Sequence, residues 1–484
     1  MRARRLMVLG TGSDVGKSLL VAGLCRAFAR RGLKVAPFKA QNMSNNAAVT
    51  ADGGEIGRAQ ALQARAAGLA PLSDMNPVLL KPDSDVTAQV VVQGRVHARL
   101  SAADYQRLKP ALLPQVVESL DRLCEGRDLV LVEGAGSGAE RYLRPQDISN
   151  MGLACAADLP AVLLADDSRG GVTAAVLGHH LLWTEAERAR VAGVIVNKFR
   201  GDPAIFAPAA EDIRAGTGWP VMGLLRWSEA ARALPAEDSL ALDQARRPGR
   251  GLVIAVPEIP RLANADDLDP LAAEPGADLR WVRPGHPLPA EAALVVLPGA
   301  KSTRAAIKAL RAEGWDIDLL AHQRRGGRVV GICAGFQMLG RRVRDPDGVE
   351  GPPGETEGLG LLDIDTVIGP SKRLCEIAAT DAISGARVTG YEMHMGVTDG
   401  PGLARPWLDL DGRPEGAVSA DGRVMGTYLH GIFGSGSFRA HVLHAMGGAG
   451  SAGDHSARIE AALDRLADEI EADLDLDALL GLAR

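Results

Sequence analysis

Residues 10–20 read GTGSDVGKSLL and directly follow the apolar run RLMVLG. An apolar run, a glycine-rich turn and a helical pattern in that order are typical of a parallel α/β sheet. The Gly-Lys-Ser that closes the turn matches the end of the phosphate-loop pattern GxxxxGK[ST]. In such a loop, backbone N–H groups cradle phosphate oxygens, Lys17 neutralises charge and the Ser18 hydroxyl reaches Mg²⁺. The first glycine of the pattern is displaced, because Thr11 stands there and Gly10 lies one place earlier. The stretch therefore predicts a nucleotide-phosphate site.

The same alternation of strand and helix continues along the chain. Further Val- and Leu-rich runs that predict buried parallel strands are LKVAPFKA (33–40), DLVLVEG (128–134), AVLLAD (161–166) and AGVIVNK (192–198). After a stretch rich in charge, proline and glycine, GLVIAVPEI (251–259) restarts the alternation. We predict four segments: a P-loop synthetase domain (1–234), a linker (235–250), a second α/β domain (251–446) and a C-terminal joint with a helical tail (447–484).

Composition narrows the class of protein. The 484 residues carry a net charge of −6, so no broad basic field supports nucleic-acid binding. The five cysteines form no CxxC pair, which indicates neither a disulfide framework nor a zinc site. No apolar stretch reaches the roughly 18–20 residues that a membrane span needs, and the N-terminus reads as a first strand, not as a signal peptide. We expect a cytoplasmic protein that binds no membrane.

Two acidic residues are candidates for completing a magnesium site with Ser18. Glu133 ends the strand LVLVE before a glycine-rich loop, where an unpaired charge would be costly. Asp52 lies on the loop after the second strand. A solvated loop carboxylate is the alternative for each, and it weighs more for Asp52. Since Mg²⁺ prefers oxygen ligands, we predict a site built from Ser18, Asp52 and Glu133.

The stretch PFKAQNMSNNAA (37–48) crowds amides and a hydroxyl onto the segment after the second strand. A polar surface loop is the alternative interpretation. Ligand crevices in open α/β sheets lie at the carboxyl ends of strands, however, and this segment lies there. We therefore predict that it contacts a ligand.

A second candidate site centres on Cys333 in GICAGFQMLG (331–340), which follows the apolar run RVVGI. A lone cysteine is more often a small core residue, but small neighbours at a strand-to-helix turn allow the sulfur to be lifted out of the core. A cysteine nucleophile needs a base and N–H groups aimed at the developing oxyanion. His430 in GTYLHGIF (426–433) and the turn in LPGAKST (297–303) are candidates for both. Together they predict a Cys–His site.

Seven motifs resemble those of the cobyric acid synthase family: GTGSDVGKS, QNMSNN, VEGAGS, DISNMG, GICAGFQMLG, YEMHMG and GTYLHGIF. They occur in the same order as in that family and extend over essentially the full length of the chain. The first half is similar to dethiobiotin synthetase and its P-loop relatives, which share the displaced glycine. The second half resembles class I glutamine amidotransferases. The resemblance implies an α/β fold of two doubly wound, mostly parallel-sheet domains, one P-loop NTPase-like and one flavodoxin-like.

The resemblance also implies a reaction, a glutamine-dependent amidation in cobalamin biosynthesis. ATP with Mg²⁺ would activate carboxylates b, d, e and g of adenosylcobyrinic acid a,c-diamide as acyl phosphates. Ammonia released from glutamine at Cys333 would displace phosphate and give adenosylcobyric acid. The partners it implies are glutamine and a corrinoid polycarboxylate.

Residue roles follow from the resemblance by position. The glutaminase site would comprise the nucleophile, its base, the oxyanion hole and two glutamine-binding residues: Cys333, His430, Gly299, Ala300, Ala334, Gln337 and Tyr391. The ATP site would comprise the phosphate loop and an adenine contact: Thr11, Gly12, Asp14, Val15, Gly16, Lys17, Ser18 and Asn197. The transferring phosphoryl group or the corrinoid carboxylates would meet Lys39, Gln41, Asn42, Ser44 and Asn45.

Two positions depart from the pattern. Many class I amidotransferases carry His-Pro-Glu, whereas His430 is followed by Gly-Ile, so the acid that orients the imidazole is missing there. Glu392 in YEMHMG is a candidate for that acid, with a domain contact as the alternative. Ser168 stands in ADDSRGG where an acid is expected, which leaves Asp166 as the better candidate.

Three other functions compete with this reaction when the sequence alone is considered. Cobyrinic acid a,c-diamide synthase has a similar architecture but acts at carboxylates a and c, and QNMSNN and the chain length favour the first choice. A partition-type switch ATPase shares the phosphate-loop variant but needs no Cys–His site. A non-catalytic binding module is disfavoured because Lys17, Ser18, Cys333 and His430 are all intact.

Overall fold

The computed structural model describes residues 3–83, 86–235 and 251–484. Apart from Pro235, the predicted linker lies outside the described residues. The chain forms two compact units. The first contains Met1–Ser44, Thr50–Pro235 and Arg458–Arg484, and the second contains Asn45–Val49 and Ala236–Ala457.

The chain up to Pro235 contains twelve strands among its described residues: β1 (Arg4–Gly10), β2 (Val35–Lys39), β3 (Gln41–Met43), β4 (Ala47–Val49), β5 (Glu55–Gly57), β6 (Val78–Pro82), β7 (Thr87–Val92), β8 (Arg95–Ser101), β9 (Leu129–Glu133), β10 (Ala161–Asp166), β11 (Val191–Phe199) and β12 (Val221–Arg226). The helices of the same part are α1 (Lys17–Arg30), α2 (Arg58–Ala66), α3 (Ala102–Cys124), α4 (Met151–Ala156), α5 (Val172–Leu182), α6 (Glu185–Arg188) and α7 (Pro203–Thr217).

The main sheet of the first unit has the order β12-β11-β10-β1-β9-β2, and all of its pairs are parallel. Its central strands are buried on both faces, which is why they read as continuous apolar runs. The register pairs Glu133 with Val8 on one side and with Lys39 on the other. The parallel sheet predicted from the sequence is confirmed, and it brings the ends of β1, β2 and β9 to one edge.

A smaller sheet in the first unit, with the order β3-β6-β7-β8, was not predicted. Strand β7 pairs antiparallel with both β6 and β8. Gln93 and Gly94, which connect β7 to β8, both have positive φ (47° and 77°), as a tight hairpin turn requires. The pattern was missed because β8 is largely exposed, although polar and apolar residues alternate along it.

The C-terminal helices α13 (His455–Asp473) and α14 (Leu476–Leu482) bring the end of the chain to the first unit. Apolar residues of α13 lie in the same core cluster as those of α1. A Cβ on Gly23 of α1 would lie 2.2 Å from Ile470 Cδ1, so a side chain at this position would displace Ile470. Arg26 and Arg30 form ion pairs of 2.7 Å with Asp464 and Asp468. The amphipathic, acidic tail is thus a packing helix, as its pattern predicts.

The second unit contains, after the segment that forms β4, the strands β13 (Leu252–Pro257), β14 (Ala277–Val282), β15 (Leu294–Leu297), β16 (Arg328–Ile332), β17 (Arg342–Asp345), β18 (Gly354–Glu357), β19 (Asp365–Asp381), β20 (Arg387–Asp399), β21 (Leu408–Leu410), β22 (Arg413–Glu415), β23 (Ala417–Val418), β24 (Val424–Thr427) and β25 (Leu429–His430). Its helices are α8 (Asp269–Ala272), α9 (Thr303–Ala312), α10 (Trp315–Arg324), α11 (Ala334–Leu339) and α12 (Gly436–His444).

The main sheet of this unit has the order β14-β13-β15-β16-β24-β23, and only the β23–β24 pair is antiparallel. The mostly parallel second domain is therefore confirmed. A second, mixed sheet contains the long hairpin of β19 and β20, which the sequence analysis did not predict. Strand β20 pairs with β25 and places Tyr391 opposite His430.

Candidate active sites

The phosphate loop connects β1 to α1. Gly16 precedes the helix with φ 96°, and a Cβ there would lie 2.3 Å from Asn197 Nδ2, so two constraints favour glycine. The Lys17 ammonium folds over the loop and donates to the carbonyl oxygens of Gly12 (2.8 Å) and Gly136 (2.9 Å). The first N–H groups of α1 have no partner within the helix and make its start electropositive. The loop is thus a cradle for an anion.

Glu133 is the centre of the polar cluster beside the loop, and it is 0% exposed. Its carboxylate accepts hydrogen bonds from Ser18 Oγ (2.7 Å) and Gln63 Nε2 (2.6 Å) and pairs with Lys39 Nζ at 2.8 Å. The buried charge is therefore compensated, as burial requires. The structure brings together Ser18 and Glu133, as the sequence predicts, and adds Lys39, which the sequence analysis assigned to the substrate. A hydroxyl and a carboxylate fit the oxygen preference of Mg²⁺.

Asp52 is not brought to this cluster. It is exposed, follows β4 on a turn that ends at Gly53 (φ 78°), and its carboxylate accepts from Ser73 N and Oγ at 3.2 and 3.1 Å. This role in a local turn corrects the expectation that Asp52 stands beside Glu133. The missed neighbour of Glu133 is Gln63 on α2. Gln63 is one of several polar residues of α2, so nothing in the sequence singles it out.

The end of β11 contacts the phosphate loop. Asn197 Nδ2 donates to the Val15 carbonyl at 2.8 Å. Lys198 follows with φ 58°, and its ammonium donates to the Asp14 carbonyl. Asn197 therefore lies next to the loop, and its contact with adenine stays a prediction. Lys198 is a loop contact that the sequence analysis missed.

Asp166, the acid preferred over Ser168, lies at the end of β10 and pairs with Lys198 at 2.7 Å. Burial raises the pKa of Asp166, but hydrogen bonds from Lys198 and Ser168 outweigh that effect and lower the pKa. Asp166 is thus ionised and holds Lys198 against the loop.

Several polar groups in the segment after β2 form hydrogen bonds within the protein, whereas the sequence predicts that this segment contacts a ligand. Gln41 Oε1 accepts from the Tyr105 hydroxyl (2.7 Å), and Asn42 Nδ2 donates to Gln60 Oε1 (2.9 Å). The buried side-chain oxygen of Asn45 has no hydrogen-bond partner among the described residues. Ser44 is buried and its N–H donates to the Leu80 carbonyl. Of the five predicted substrate residues, Lys39 contacts the nucleotide site through its ion pair with Glu133.

Cys333 stands alone between β16 and α11 with φ 54° and ψ −109°, a strained conformation for a residue with a side chain. Its N–H donates to the Thr427 carbonyl at 2.8 Å, and its sulfur lies 3.6 Å from the Met393 carbonyl oxygen. A Cβ on Gly335 would lie 1.9 Å from the Leu297 carbonyl oxygen, so the helix packs directly against β15. The sharp strand-to-helix turn predicted for the nucleophile is present.

His430 is buried next to this turn. Its Nδ1 lies 2.7 Å from Asp267 Oδ2, and the Tyr391 ring stacks on it at 5.0 Å and 12°. A Cβ on Gly299 would lie 3.3 Å from His430 Cε1, which places the predicted oxyanion turn beside the ring. Burial lowers the pKa of His430, but Asp267 and the Cys333 sulfur outweigh burial and raise this pKa to about 10. The ring is therefore an imidazolium beside Cys333.

The acid next to His430 is Asp267, which the sequence analysis did not single out. Glu392, its candidate, is instead a buried partner of Arg373 and Arg413 within the second unit. Asp267 lies 163 residues before His430, in the acid-rich run NADDLD. Nothing local distinguishes it from the other acids of that run.

The remaining glutaminase residues have mixed placements. Ala334 is the first residue of α11, where N–H groups have no partner within the helix, and Ala300 follows Gly299 after β15. The Gln337 amide, in contrast, is buried between Thr303 Oγ1 (2.5 Å) and the Tyr428 hydroxyl (3.2 Å). Gln337 is therefore held by protein partners, and its contact with glutamine stays a prediction.

A phosphate loop at the edge of one sheet, together with a Cys–His pair on a strand-to-helix turn of another, defines a two-domain, glutamine-dependent class of enzyme. Family models agree. Residues 6–241 match the CobQ/CobB/MinD/ParA nucleotide binding domain, and residues 253–438 match the CobB/CobQ-like glutamine amidotransferase domain.

Relatives that align with the chain over its full length identify the family. The chain is 59% identical over 480 residues to a cobyric acid synthase of Cereibacter sphaeroides (strain ATCC 17023), covering 99% of both chains. It is 56% identical over 482 residues to one of Bradyrhizobium diazoefficiens, covering 100% of both. The chain belongs to the cobyric acid synthase family and is an enzyme.

Solved structures match more weakly. The structure of PurLQS from Thermotoga maritima shares 18% identity with a TM-score of 0.30, and covers 45% of this chain and 99% of that one. A glutamine amidotransferase of the same organism shares 16% identity with a TM-score of 0.27. These scores are low, and the family assignment rests on the full-length relatives.

The described residues contain no helix with both the length and the apolar character that crossing a bilayer demands.

Proposed function

We propose that this enzyme converts adenosylcobyrinic acid a,c-diamide to adenosylcobyric acid in cobalamin biosynthesis, by ATP-driven amidation of carboxylates b, d, e and g. One observation carries the proposal. A phosphate loop with its buried Glu133 and a Cys333–His430 pair occur on one chain that matches cobyric acid synthases over its full length. Residues 1–234 would form the synthetase and 251–446 the amidotransferase, joined by 235–250 and followed by 447–484. We place the reaction in the cytoplasm.

The glutaminase half-reaction begins at Cys333. The thiolate attacks the carboxamide carbon of glutamine, and the oxygen that gains charge receives N–H groups from Ala334 and from the turn at Gly299 and Ala300. The His430 imidazolium gives its proton to the departing nitrogen, so ammonia leaves and a thioester with Cys333 remains.

Water then completes this half-reaction. It gives a proton to the neutral His430, and the hydroxide displaces the Cys333 thiolate to release glutamic acid. The thiolate and imidazolium are thereby restored. The high pKa of His430 supports this cycle, because the ring holds its proton until the thiolate has been consumed.

In the synthetase half-reaction, a corrinoid carboxylate oxygen attacks the γ-phosphorus of ATP, and ADP leaves. Ammonia then attacks the carbonyl carbon of the acyl phosphate and displaces phosphate. Lys17 and the N–H groups of the loop would hold the phosphates. Ser18 and Glu133 would hold Mg²⁺, which offsets phosphate charge when it is bound. Lys39 would contact the transferring phosphoryl group, and its position 2.8 Å from Glu133 supports this role.

Product analysis by mass spectrometry tests the proposal. The protein is incubated with adenosylcobyrinic acid a,c-diamide, ATP-Mg²⁺ and glutamine, and a parallel reaction omits ATP. We expect four successive replacements of a hydroxyl by an amino group, matched by glutamate, ADP and phosphate, and none without ATP. A protein that leaves the diamide unchanged, or that instead amidates cobyrinic acid at a and c, would contradict the proposal.

A further inference from the structure

We infer that Asp267 is the positioning residue of the glutaminase site, holding the His430 ring in its orientation and stabilising its charged form. This inference rests on the proposed glutaminase chemistry at Cys333 and His430. It assigns to a distant acid the task that the residues following His430 cannot perform, since these are Gly431 and Ile432.

The Asp267 carboxylate is immobilised at both oxygens. Oδ2 accepts from His430 Nδ1 at 2.7 Å, and Oδ1 accepts from the Gly431 N–H at 2.8 Å. The Asp267 and His430 side chains are only 3% and 2% exposed, so water competes little for this pair. A buried carboxylate with two fixed partners cannot rotate away from the ring without leaving a donor unpaired.

The turn that carries Asp267 is also fixed to the oxyanion side of the site. Asn264 adopts φ 53° and accepts the Asp267 N–H at its carbonyl, starting a 3₁₀ turn over Ala265–Leu268. The Asn264 side chain accepts from the Ala47 N–H at 3.0 Å, and the preceding Ala263 N–H donates to the Gly299 carbonyl. The same short segment therefore supports both the imidazole and the predicted oxyanion turn.

The other ionisable groups around the ring have different partners. Cys333 and Asp267 are the two groups that raise the pKa of His430, and Tyr391 covers the face of the ring. Glu392, on the strand next to Tyr391, is compensated by Arg373 and Arg413. Glu415 accepts from Thr427 Oγ1 and the Tyr428 N–H. Among these acids, Asp267 alone contacts the ring.

The contact with Asp267 determines which ring nitrogen of His430 exchanges protons. Because Nδ1–H donates to Asp267, Nε2 is the nitrogen left to exchange protons with ammonia and water. Burial by itself lowers the pKa of the ring and would favour the neutral form. The Asp267 carboxylate compensates the imidazolium in the buried site and so keeps the His430 ring in the protonated form from which the proposed reaction begins.

The test compares Asp267→Asn with Asp266→Asn, a matched control on the same turn, in the full-length enzyme. Glutamine hydrolysis is measured without corrinoid, and ammonia-supported amidation of the diamide reports on the remainder of the protein. We expect Asp267→Asn to lower kcat for glutamine hydrolysis by about 10²- to 10⁴-fold with little change in KM, while ammonia-supported amidation persists. Asp266→Asn should behave as wild type.

Two further readouts separate positioning from a structural role. Alkylation of Cys333 by iodoacetamide is followed against pH, and we expect its midpoint to rise by more than about one pH unit in Asp267→Asn. Asp267→Ala is assayed with added formate, whose carboxylate should restore part of the glutamine hydrolysis. An unchanged alkylation profile, an effect on KM alone, no rescue by formate, or loss of ammonia-supported amidation in either variant would overturn the inference.

Failure of the proposed function gives a different result. If wild-type enzyme hydrolyses glutamine but amidates no corrinoid, the proposed substrate is wrong, and the hydrolysis and alkylation measurements still decide the role of Asp267.

Discussion

The nucleotide site and the glutaminase site are built in opposite ways. The phosphate loop is one continuous stretch, residues 10–18, that needs only the buried Glu133 and a few contacts to be complete. The glutaminase site joins Asp267, Cys333 and His430 from three distant parts of the chain. A site made of backbone N–H groups can therefore be formed by one short segment of the chain. A site made of side chains from distant segments depends on the sheets that bring those segments together.

The largest effect is expected when the predicted nucleophile is removed, a change that tests whether the two sites act separately. Cys333→Ala should lower glutamine-supported amidation by more than about 10⁴-fold, because no other group forms the thioester. Ammonia-supported amidation should continue, since the nucleotide site is intact. Both rates are measured by product mass spectrometry, with the exposed Cys155→Ala as the control. Loss of both activities in Cys333→Ala would show that the sites do not act separately.

The converse change removes the charge beside the phosphate loop. Glu133→Gln should reduce ATP-dependent amidation with either nitrogen source by about 10²- to 10³-fold, because Ser18 and Lys39 lose their shared anionic partner. Glutamine hydrolysis without ATP should remain. ADP release and glutamate release are measured in parallel, and Glu125→Gln on the exposed end of α3 serves as control. If amidation survives in Glu133→Gln, Glu133 has only a packing role.

A smaller effect, on stability, is expected from a change at the contact between α13 and α1, the helix that follows the phosphate loop. Ile470 on α13 is 3% exposed and packs against Gly23 of α1, so even the phosphate-loop helix depends on the end of the chain. Ile470→Ala should lower the free energy of unfolding of the first unit by about 2–4 kcal/mol. Chemical denaturation measures it, with Arg465→Ala at an exposed position of α13 as control. Equal stability of the two variants would mean that α13 contributes nothing to the first unit.

The sequence analysis was most successful where a motif coincides with a structural element. The parallel sheets were predicted because their strands are apolar throughout. Lys17, Ser18, Glu133, Cys333 and His430 were singled out because each lies at or next to the end of a strand or the start of a helix. Strand β8 was missed because it is largely exposed, and β19 and β20 were missed because they lack a strict alternation of polar and apolar residues. Asp52 was assigned to the wrong partner, because loop carboxylates near a strand end look alike in sequence.

The amino-acid sequence by itself determined the class of the two domains and the phosphate loop, and it predicts the nucleophile and its base. These features depend on local patterns: apolar runs, glycines that permit positive φ, and a residue at a strand end. Only the tertiary structure decided that Asp267 contacts His430, that Gln63 and Lys39 compensate Glu133, and that the C-terminal helix packs against α1. Hydrogen bonds and ion pairs act over about 3 Å regardless of separation along the chain, so the fold must bring such partners together before their chemistry exists.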